Sequence, residues 1–169
     1  MFVGVGSDDV IAMSFLTFFN SQKKVLFPDI TYSFYKVWAD LYRIPYETPA
    51  LDENMAIRPL DYKRENGGII FPNPNAPTGL YMPLDQVEEI VKANQDVIVI
   101  VDESYIDFAG PFARELLLVY TKLLVVQFFS TSRSTAGVRI GFGLGSPALI
   151  NSLTDVNYSY NFHPMHHPT

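Results

Sequence analysis

Short runs of apolar residues, several of them β-branched, alternate along the chain with longer and partly polar stretches. An apolar run of about four to eight residues bounded by turn residues is typical of a strand buried on both faces of a parallel sheet. The strands predicted from this pattern span residues 24–27, 45–48, 68–71, 97–101, 123–127 and 138–144. The helices are predicted over residues 7–19, 35–41, 59–63, 82–95, 111–120 and 147–154. This alternation predicts an α/β fold in which a mostly parallel sheet carries helices on both faces.

Polar or aromatic side chains follow the ends of four of these strands. Tyr32, Asn75, Asp102 and Ser130 each come after a different strand. Because parallel α/β sheets bind ligands at the carboxyl ends of their strands, we expect these side chains to converge on one edge of the sheet. The segment that contains Ser130 also supplies the guanidinium group of Arg139. The sequence therefore predicts an anionic small molecule held by Ser130, Arg139 and Asp102.

The composition is that of one globular domain. The chain has 169 residues, of which 48% are hydrophobic and 18% are charged, and this balance excludes bulk disorder. The net charge of -6 argues against a nucleic-acid partner, since phosphate binding needs clustered Lys and Arg. The absence of cysteine excludes disulfides and thiolate metal sites. No metal is predicted, because His163, His166 and His167 do not have the spacing of metal ligands.

Neither end of the sequence predicts an export signal or a membrane segment. The first residues lack a basic stretch followed by a long apolar one, and the apolar runs are too short to cross a bilayer. We therefore expect a cytoplasmic protein. The stretch 158–169 combines Asn, Tyr, Pro and all three His residues, and predicts a poorly ordered tail. The domain is then expected to comprise residues 1–157.

The turn before the first predicted helix has two interpretations. Gly6 leads into Ser7 and Asp8, which are suited to cap a helix and to complement its dipole. A glycine-rich turn into a helix N-terminus is also a possible phosphate site. From this stretch alone, the plain cap is the favoured interpretation.

The loop at residues 72–79 is unusually constrained. It contains three prolines and two asparagines, and proline fixes the backbone φ angle. A stiff loop of this kind can aim its amide side chains, so we interpret it as a ligand loop. The pattern leaves open which asparagine, Asn73 or Asn75, faces the ligand.

Five segments together resemble the large domain of the fold-type I pyridoxal-phosphate-dependent aminotransferases of class I and II, most closely the histidinol-phosphate aminotransferases. They occur in the order of that family and span nearly the whole chain apart from its last residues. The segments are residues 6–9, 28–35, 73–79, 102–105 and 130–141. The resemblance implies the fold of this large domain and the cofactor pyridoxal 5′-phosphate.

The resemblance also implies how the cofactor phosphate is held. Backbone amides near Ser7 and Asp8 would bind it together with the Ser130 hydroxyl and the Arg139 guanidinium. This implication replaces the plain helix cap as the expected role of Ser7.

The remaining implied contacts concern the cofactor ring. Tyr32 would stack on the ring, and Asp102 would pair with the ring nitrogen and keep it protonated. Tyr105 would donate a hydrogen bond to the phenolic oxygen, a task that an asparagine shares in the family. Many relatives carry that asparagine where this chain has Ala76, so Asn75 or Asn73 would have to substitute.

The largest departure from the family is Thr131, which stands where the family has its Schiff-base lysine, eight residues before Arg139. A hydroxyl group forms no imine with an aldehyde and cannot replace an amine as general base. Lys122 precedes its strand and is therefore expected at the opposite end of the sheet. We expect the catalytic positions, Thr131 and Asp102, to support severely impaired catalysis or none.

By resemblance, the family reaction is transamination between histidinol phosphate, or a related amino acid, and 2-oxoglutarate in histidine biosynthesis. The resemblance also implies small-molecule partners, an amino donor and a 2-oxo acid, and a homodimer. The family's N-terminal arm and small domain have no counterpart in these residues. The alternative is a non-catalytic fragment that binds pyridoxal phosphate or another protein. A nucleotide-binding protein is disfavoured because neither glycine-rich nucleotide motif is present.

Overall fold

The computed structural model describes residues 1–128 and 140–157, which form one seven-stranded sheet with helices packed against it. The strands are β1 (Phe2–Gly4), β2 (Val25–Leu26), β3 (Tyr46–Glu47), β4 (Gly68–Pro72), β5 (Val99–Asp102), β6 (Leu123–Phe128) and β7 (Gly141–Gly145). Their order across the sheet is β1-β7-β6-β5-β4-β2-β3. Strands β2 to β6 run parallel to one another, whereas β7 is antiparallel to both β6 and β1. The predicted mostly parallel α/β fold is confirmed.

Within residues 1–128 and 140–157, four α-helices and three short 3-10 helices accompany these strands. The α-helices are α1 (Ser7–Phe18), α2 (Phe34–Leu41), α3 (Leu84–Ala93) and α4 (Pro147–Val156). The 3-10 helices are Pro59–Tyr62, Ile106–Phe108 and Ala113–Leu118. The helix predicted over 111–120 is thus a shorter 3-10 helix, of which only Ala113 and Leu116 are buried.

Alternate residues of the central strands face opposite sides of the sheet and build two separate cores. On one side, Ile100 and Leu124 pack in a core with residues of α1, α2 and α4. On the other side, Val99, Val101 and Val125 pack with residues of α3 and the 3-10 helices. The central strands therefore carry apolar residues on both faces, which explains why their apolar runs are continuous rather than alternating.

The register of the sheet brings several chain segments to one edge. Pro72 pairs with Asp102, and Asp102 pairs with Val126, so β4 and β5 end at the same level and β6 extends two residues further. Because β7 is antiparallel, it begins at this edge, where Gly141 pairs with both Phe128 and Gly4. The end of β1 and the start of α1 consequently lie at the carboxyl edge of the parallel strands.

Glycine at position 141 allows β7 to touch the start of α1. A Cβ atom at Gly141 would lie 2.5 Å from the backbone nitrogen of Ser7 and would also overlap the carbonyl group of Gly6. Gly6 itself has a φ of 90°, in the region that favours glycine. These two glycines therefore fix the position of the α1 N-terminus against the sheet.

The predicted domain boundary falls close to the end of α4, and the predicted tail 158–169 lies outside the described residues. Across residues 1–128 and 140–157, none of the helices has the length and apolar character needed to span a bilayer.

Candidate functional site

A cavity of about 130 Å³ opens at the carboxyl edge of the parallel strands. It is lined by Ser7, Asp8, Tyr32, Pro72, Ala76, Asp102, Ser104, Tyr105 and Phe128. Five of the residues singled out from the sequence are among them, so the structure brings these five together. The cavity lies where ligands bind in parallel α/β sheets.

Asp102 presents a buried and firmly held carboxylate to this cavity. Asp102 is only 5% exposed. One oxygen accepts hydrogen bonds from the Ser104 hydroxyl (2.6 Å) and the Ser104 backbone N–H (3.1 Å). The other accepts from the Tyr35 hydroxyl (2.7 Å). Burial raises the pKa of Asp102, and these three donors oppose that rise. A carboxylate has room for a further donor from the cavity side.

Tyr35 belongs to the site through its contact with Asp102, although it was not singled out from the sequence. It is fully buried on α2, with its ring packed on Phe15 and against the edge of Phe27. Burial raises the pKa of Tyr35 well above its usual value, and the carboxylate of Asp102 adds to this rise. The hydroxyl therefore stays protonated and acts as a donor to Asp102. The signal that could have identified it is a tyrosine, rather than a phenylalanine, in the predicted helix 35–41.

Tyr32 and Asp8 form a second pair at the cavity wall. The Tyr32 hydroxyl donates to Asp8 Oδ1 at 2.6 Å. Burial is the main cause that raises the pKa of Tyr32, and the Asp8 carboxylate adds to the rise. The Tyr32 ring stacks on Phe34 with centroids 5.6 Å apart. Its edge contact with Tyr35 connects this pair to the Asp102 cluster.

The N-terminus of α1 borders the cavity at Ser7 and Asp8. The first N–H groups of a helix have no partner within the helix and carry the positive end of its dipole. Gly6 at the cap position offers no side chain to occupy them, and Asp9 is engaged instead with the Val5 N–H at 3.0 Å. This helix end is therefore suited to hold an anionic group in the cavity.

Asn75 and Asn73 both stabilise the proline-rich loop. Asn75 is 3% exposed, and its amide donates to the Ile30 carbonyl (3.0 Å) and accepts from the Thr31 hydroxyl (3.0 Å). Asn73 exchanges two hydrogen bonds with the backbone of Met82. Neither asparagine is among the residues that line the cavity, and Ala76 occupies that place.

Three of the predicted site residues, Ser130, Thr131 and Arg139, lie outside the described residues. Within the described part of the chain, no group of three or more Asp, Glu or His side chains is arranged to hold a metal ion.

Tyr35→Phe tests how strongly the buried phenol supports Asp102. We expect a loss of about 1–3 kcal/mol in the free energy of unfolding at pH 7, because a buried carboxylate loses one of its donors. The hydroxyl lowers the pKa of Asp102, so its contribution is present while Asp102 is ionised and shrinks in acid as Asp102 is protonated. Urea unfolding at neutral and acidic pH measures both effects.

Tyr32→Phe provides the matched control, since it removes a tyrosine hydroxyl from a carboxylate at the more exposed cavity wall. Water can replace that donor, so we expect a loss below about 1 kcal/mol. Equal losses for the two variants, or a Tyr35→Phe loss that is independent of pH, would contradict the assigned role of Tyr35.

Comparisons with known proteins show the family and the fold of this chain. The whole sequence, residues 1–169, matches the family model described as Aminotransferase class I and II. Histidinol-phosphate aminotransferase 1 of Hydrogenovibrio crunogenus is 53% identical over 165 residues, which are 98% of this chain and 46% of that protein. The histidinol-phosphate aminotransferase of Lactococcus lactis subsp. cremoris is 50% identical over 165 residues, with the same coverage of 98% and 46%. The chain thus spans about half the length of the curated relatives it matches.

Solved structures share the fold at low sequence identity. The histidinol-phosphate aminotransferase of Clostridium acetobutylicum superposes with a TM-score of 0.85 at 21% identity, covering 94% of this chain and 49% of that one. The histidinol-phosphate aminotransferase of Sinorhizobium meliloti, solved in complex with pyridoxal-5′-phosphate, gives a TM-score of 0.82 at 17% identity, covering 92% and 45%. The family match over the full sequence and the shared α/β fold lead to one conclusion: this chain belongs to the class I and II aminotransferases.

Proposed function

We propose that the chain forms the cofactor-binding part of a histidinol-phosphate aminotransferase-like protein and binds pyridoxal 5′-phosphate in the cavity at Asp102. The observation that carries the proposal is the buried Asp102 carboxylate, held by three donors and facing a cavity that also borders a helix N-terminus. The relatives named histidinol-phosphate aminotransferase support this assignment.

The residues around the cavity fit this cofactor chemically. Asp102 would accept from the protonated ring nitrogen, and a low-dielectric surrounding strengthens such a charge-assisted bond. The amides at the start of α1 would hold the phosphate group, with Ser130 and Arg139 as further ligands. Tyr32 would cover the ring and Tyr105 would bond its phenolic oxygen. When bound, pyridoxal phosphate supplies the electron sink for amino-group transfer.

Thr131 is the reason why we propose little or no catalytic activity for this chain. A threonine at the position of the family's lysine provides neither the amine that links the cofactor nor the general base, whose contribution is about 10²–10⁴-fold in rate. The complete protein of this type would act on histidinol phosphate, or a related amino acid, and 2-oxoglutarate as a cytoplasmic homodimer. For the chain with Thr131, we propose reversible cofactor binding with severely impaired transamination.

Thr131 also favours a second candidate function from a different class, a non-catalytic module that retains pyridoxal phosphate or serves only in protein interaction. Cofactor binding separates the two forms of this module. Binding without a covalent link supports the cofactor-retaining form, and no binding leaves only the interaction role.

Pyridoxine 5′-phosphate is the ligand of choice for the test, because it lacks the aldehyde that reacts with surface lysines. We expect it to bind the chain in a calorimetric titration, and unphosphorylated pyridoxine to bind at least about tenfold more weakly, since the helix N-terminus stabilises the phosphate. Equal affinity for the two ligands would contradict the phosphate site at α1. Absence of binding by either would refute the proposed function.

A further inference from the structure

Glu103 is a buried carboxylate that follows Asp102 directly and does not line the cavity. It is 2% exposed, and both of its side-chain oxygens accept a hydrogen bond. One oxygen accepts from the backbone N–H of Ala113 at 2.5 Å. The other accepts from the side-chain amide of Gln127 at 2.7 Å. Two donors on separate elements, one for each oxygen, hold the carboxylate in one orientation.

These contacts join two segments that contribute residues to the cavity lining. The Glu103 backbone N–H donates to the Val126 carbonyl at 2.7 Å, and its own carbonyl accepts from the Ile106 N–H at 3.2 Å. The bond to Ile106 closes a turn that carries Tyr105. The bonds to Val126 and Gln127 hold the strand β6, which ends at Phe128. Tyr105 and Phe128 both line the cavity. Glu103 is therefore placed to set the positions of these two lining residues.

Stability alone does not account for a carboxylate at this position. Burial raises the pKa of Glu103 to about 7, and its two hydrogen bonds oppose that rise only in part. Asp102 adds to this rise and Arg114 opposes it, and the Glu103 carboxylate in turn raises the pKa of Tyr81. The folded-state pKa lies above the ordinary value, so stability falls as the pH rises from about 4.5 through 7. A neutral amide of the same shape would avoid this loss, with its oxygen accepting from the Ala113 N–H and its NH2 donating to the oxygen of a turned Gln127 amide.

We propose that Glu103 is a positioning residue for the cavity, whose ionised carboxylate holds the Tyr105 turn and the end of β6 in the arrangement that binds the ligand. The identity of that ligand, a pyridoxal-type phosphate ester, rests on the proposed function. The positioning itself rests only on the hydrogen bonds of Glu103.

Glu103→Gln separates positioning from stability. At pH 8 the variant is expected to have a higher unfolding temperature than the native chain, because it buries no charge. We also expect residues 104–112 and 126–128 to exchange backbone hydrogens at least about fivefold faster, since an amide accepts more weakly than a carboxylate. Pyridoxine 5′-phosphate should bind at least about threefold more weakly. At pH 6, below the pKa of about 7, Glu103 is mostly protonated, so the differences between the two proteins should shrink in all three measurements.

Glu115→Gln is the matched control, because Glu115 is an exposed carboxylate on the adjacent 3-10 helix. It should leave hydrogen exchange and binding unchanged at both pH values. Gln127→Met removes one donor of the same arrangement without altering Glu103, and should raise exchange at residues 126–128 at pH 8. This variant serves as the test if Glu103→Gln does not fold.

Hydrogen exchange tests the positioning role of Glu103 without any ligand. Unchanged exchange in Glu103→Gln at pH 8, or an equal difference at pH 6 and pH 8, would overturn the positioning role. If the native chain fails to bind pyridoxine 5′-phosphate, the proposed function is refuted, while the exchange result still stands as the test of Glu103.

Discussion

Thr131→Lys is expected to convert reversible binding of pyridoxal phosphate into covalent attachment at residue 131. The substitution restores an amine at the position where the family has its lysine, eight residues before Arg139, and an amine condenses with the cofactor aldehyde whereas a hydroxyl does not. Attachment at this residue should rise from none to nearly one group per chain. Borohydride reduction, intact-mass measurement and peptide mapping detect it, together with a new absorbance band in the visible range.

Ser132→Lys is the matched control for this experiment. It adds the same amine one residue further along, so it has the same general reactivity without the family's spacing to Arg139. If labelling at position 131 in the first variant does not exceed labelling at position 132 in the control, the cavity does not direct the aldehyde to position 131. The native chain reports the background reaction of its own lysines.

Asp102→Asn is expected to weaken binding of pyridoxine 5′-phosphate by about 10- to 100-fold. A hydrogen bond between two charged groups is lost, and such a bond contributes about 1.5–3 kcal/mol. The fold should persist, because an asparagine of the same shape can accept from Ser104 while the Tyr35 hydroxyl turns to accept from the new amide. Calorimetric titration gives the affinity, and thermal unfolding verifies that the variant is folded.

Asp85→Asn makes the same chemical change in the exposed first turn of α3. It should leave the affinity for pyridoxine 5′-phosphate unchanged. If both variants bind as tightly as the native chain, Asp102 does not contact the ligand and the proposed orientation of the ring is wrong.

The site residues that could be predicted from the sequence are those that follow buried strands. A continuous apolar run identifies such a strand without knowledge of its neighbours, and the residue after it is then placed at the edge of the sheet. Asp102 and Tyr32 were located in this way, and the structure places both at the cavity. An apolar run does not show the direction of its strand, so the antiparallel orientation of β7 was not predicted. The short edge strand β1 was not predicted either.

Side-chain partners across the fold were beyond sequence reasoning. Tyr35 and Asp102 are 67 positions apart, and Glu103 and Gln127 are 24 apart, and no periodicity relates either pair. The proline-rich loop illustrates a different limit. Its stiffness was evident from composition, yet the amide of Asn75 is used within the loop and its surroundings rather than in the cavity lining.

The pairing of β1 with β7 has a consequence for the order in which this protein is assembled during translation. Gly4 pairs with Gly141, so the first strand has its sheet partner only after almost the whole described chain has left the ribosome. Contacts between such distant segments form late, because a long loop must close before they are gained. The helix start at Ser7 depends on the same contact through Gly6 and Gly141. Nascent chains that stop before β7 should therefore be unable to capture a phosphorylated ligand, even with every other strand in place.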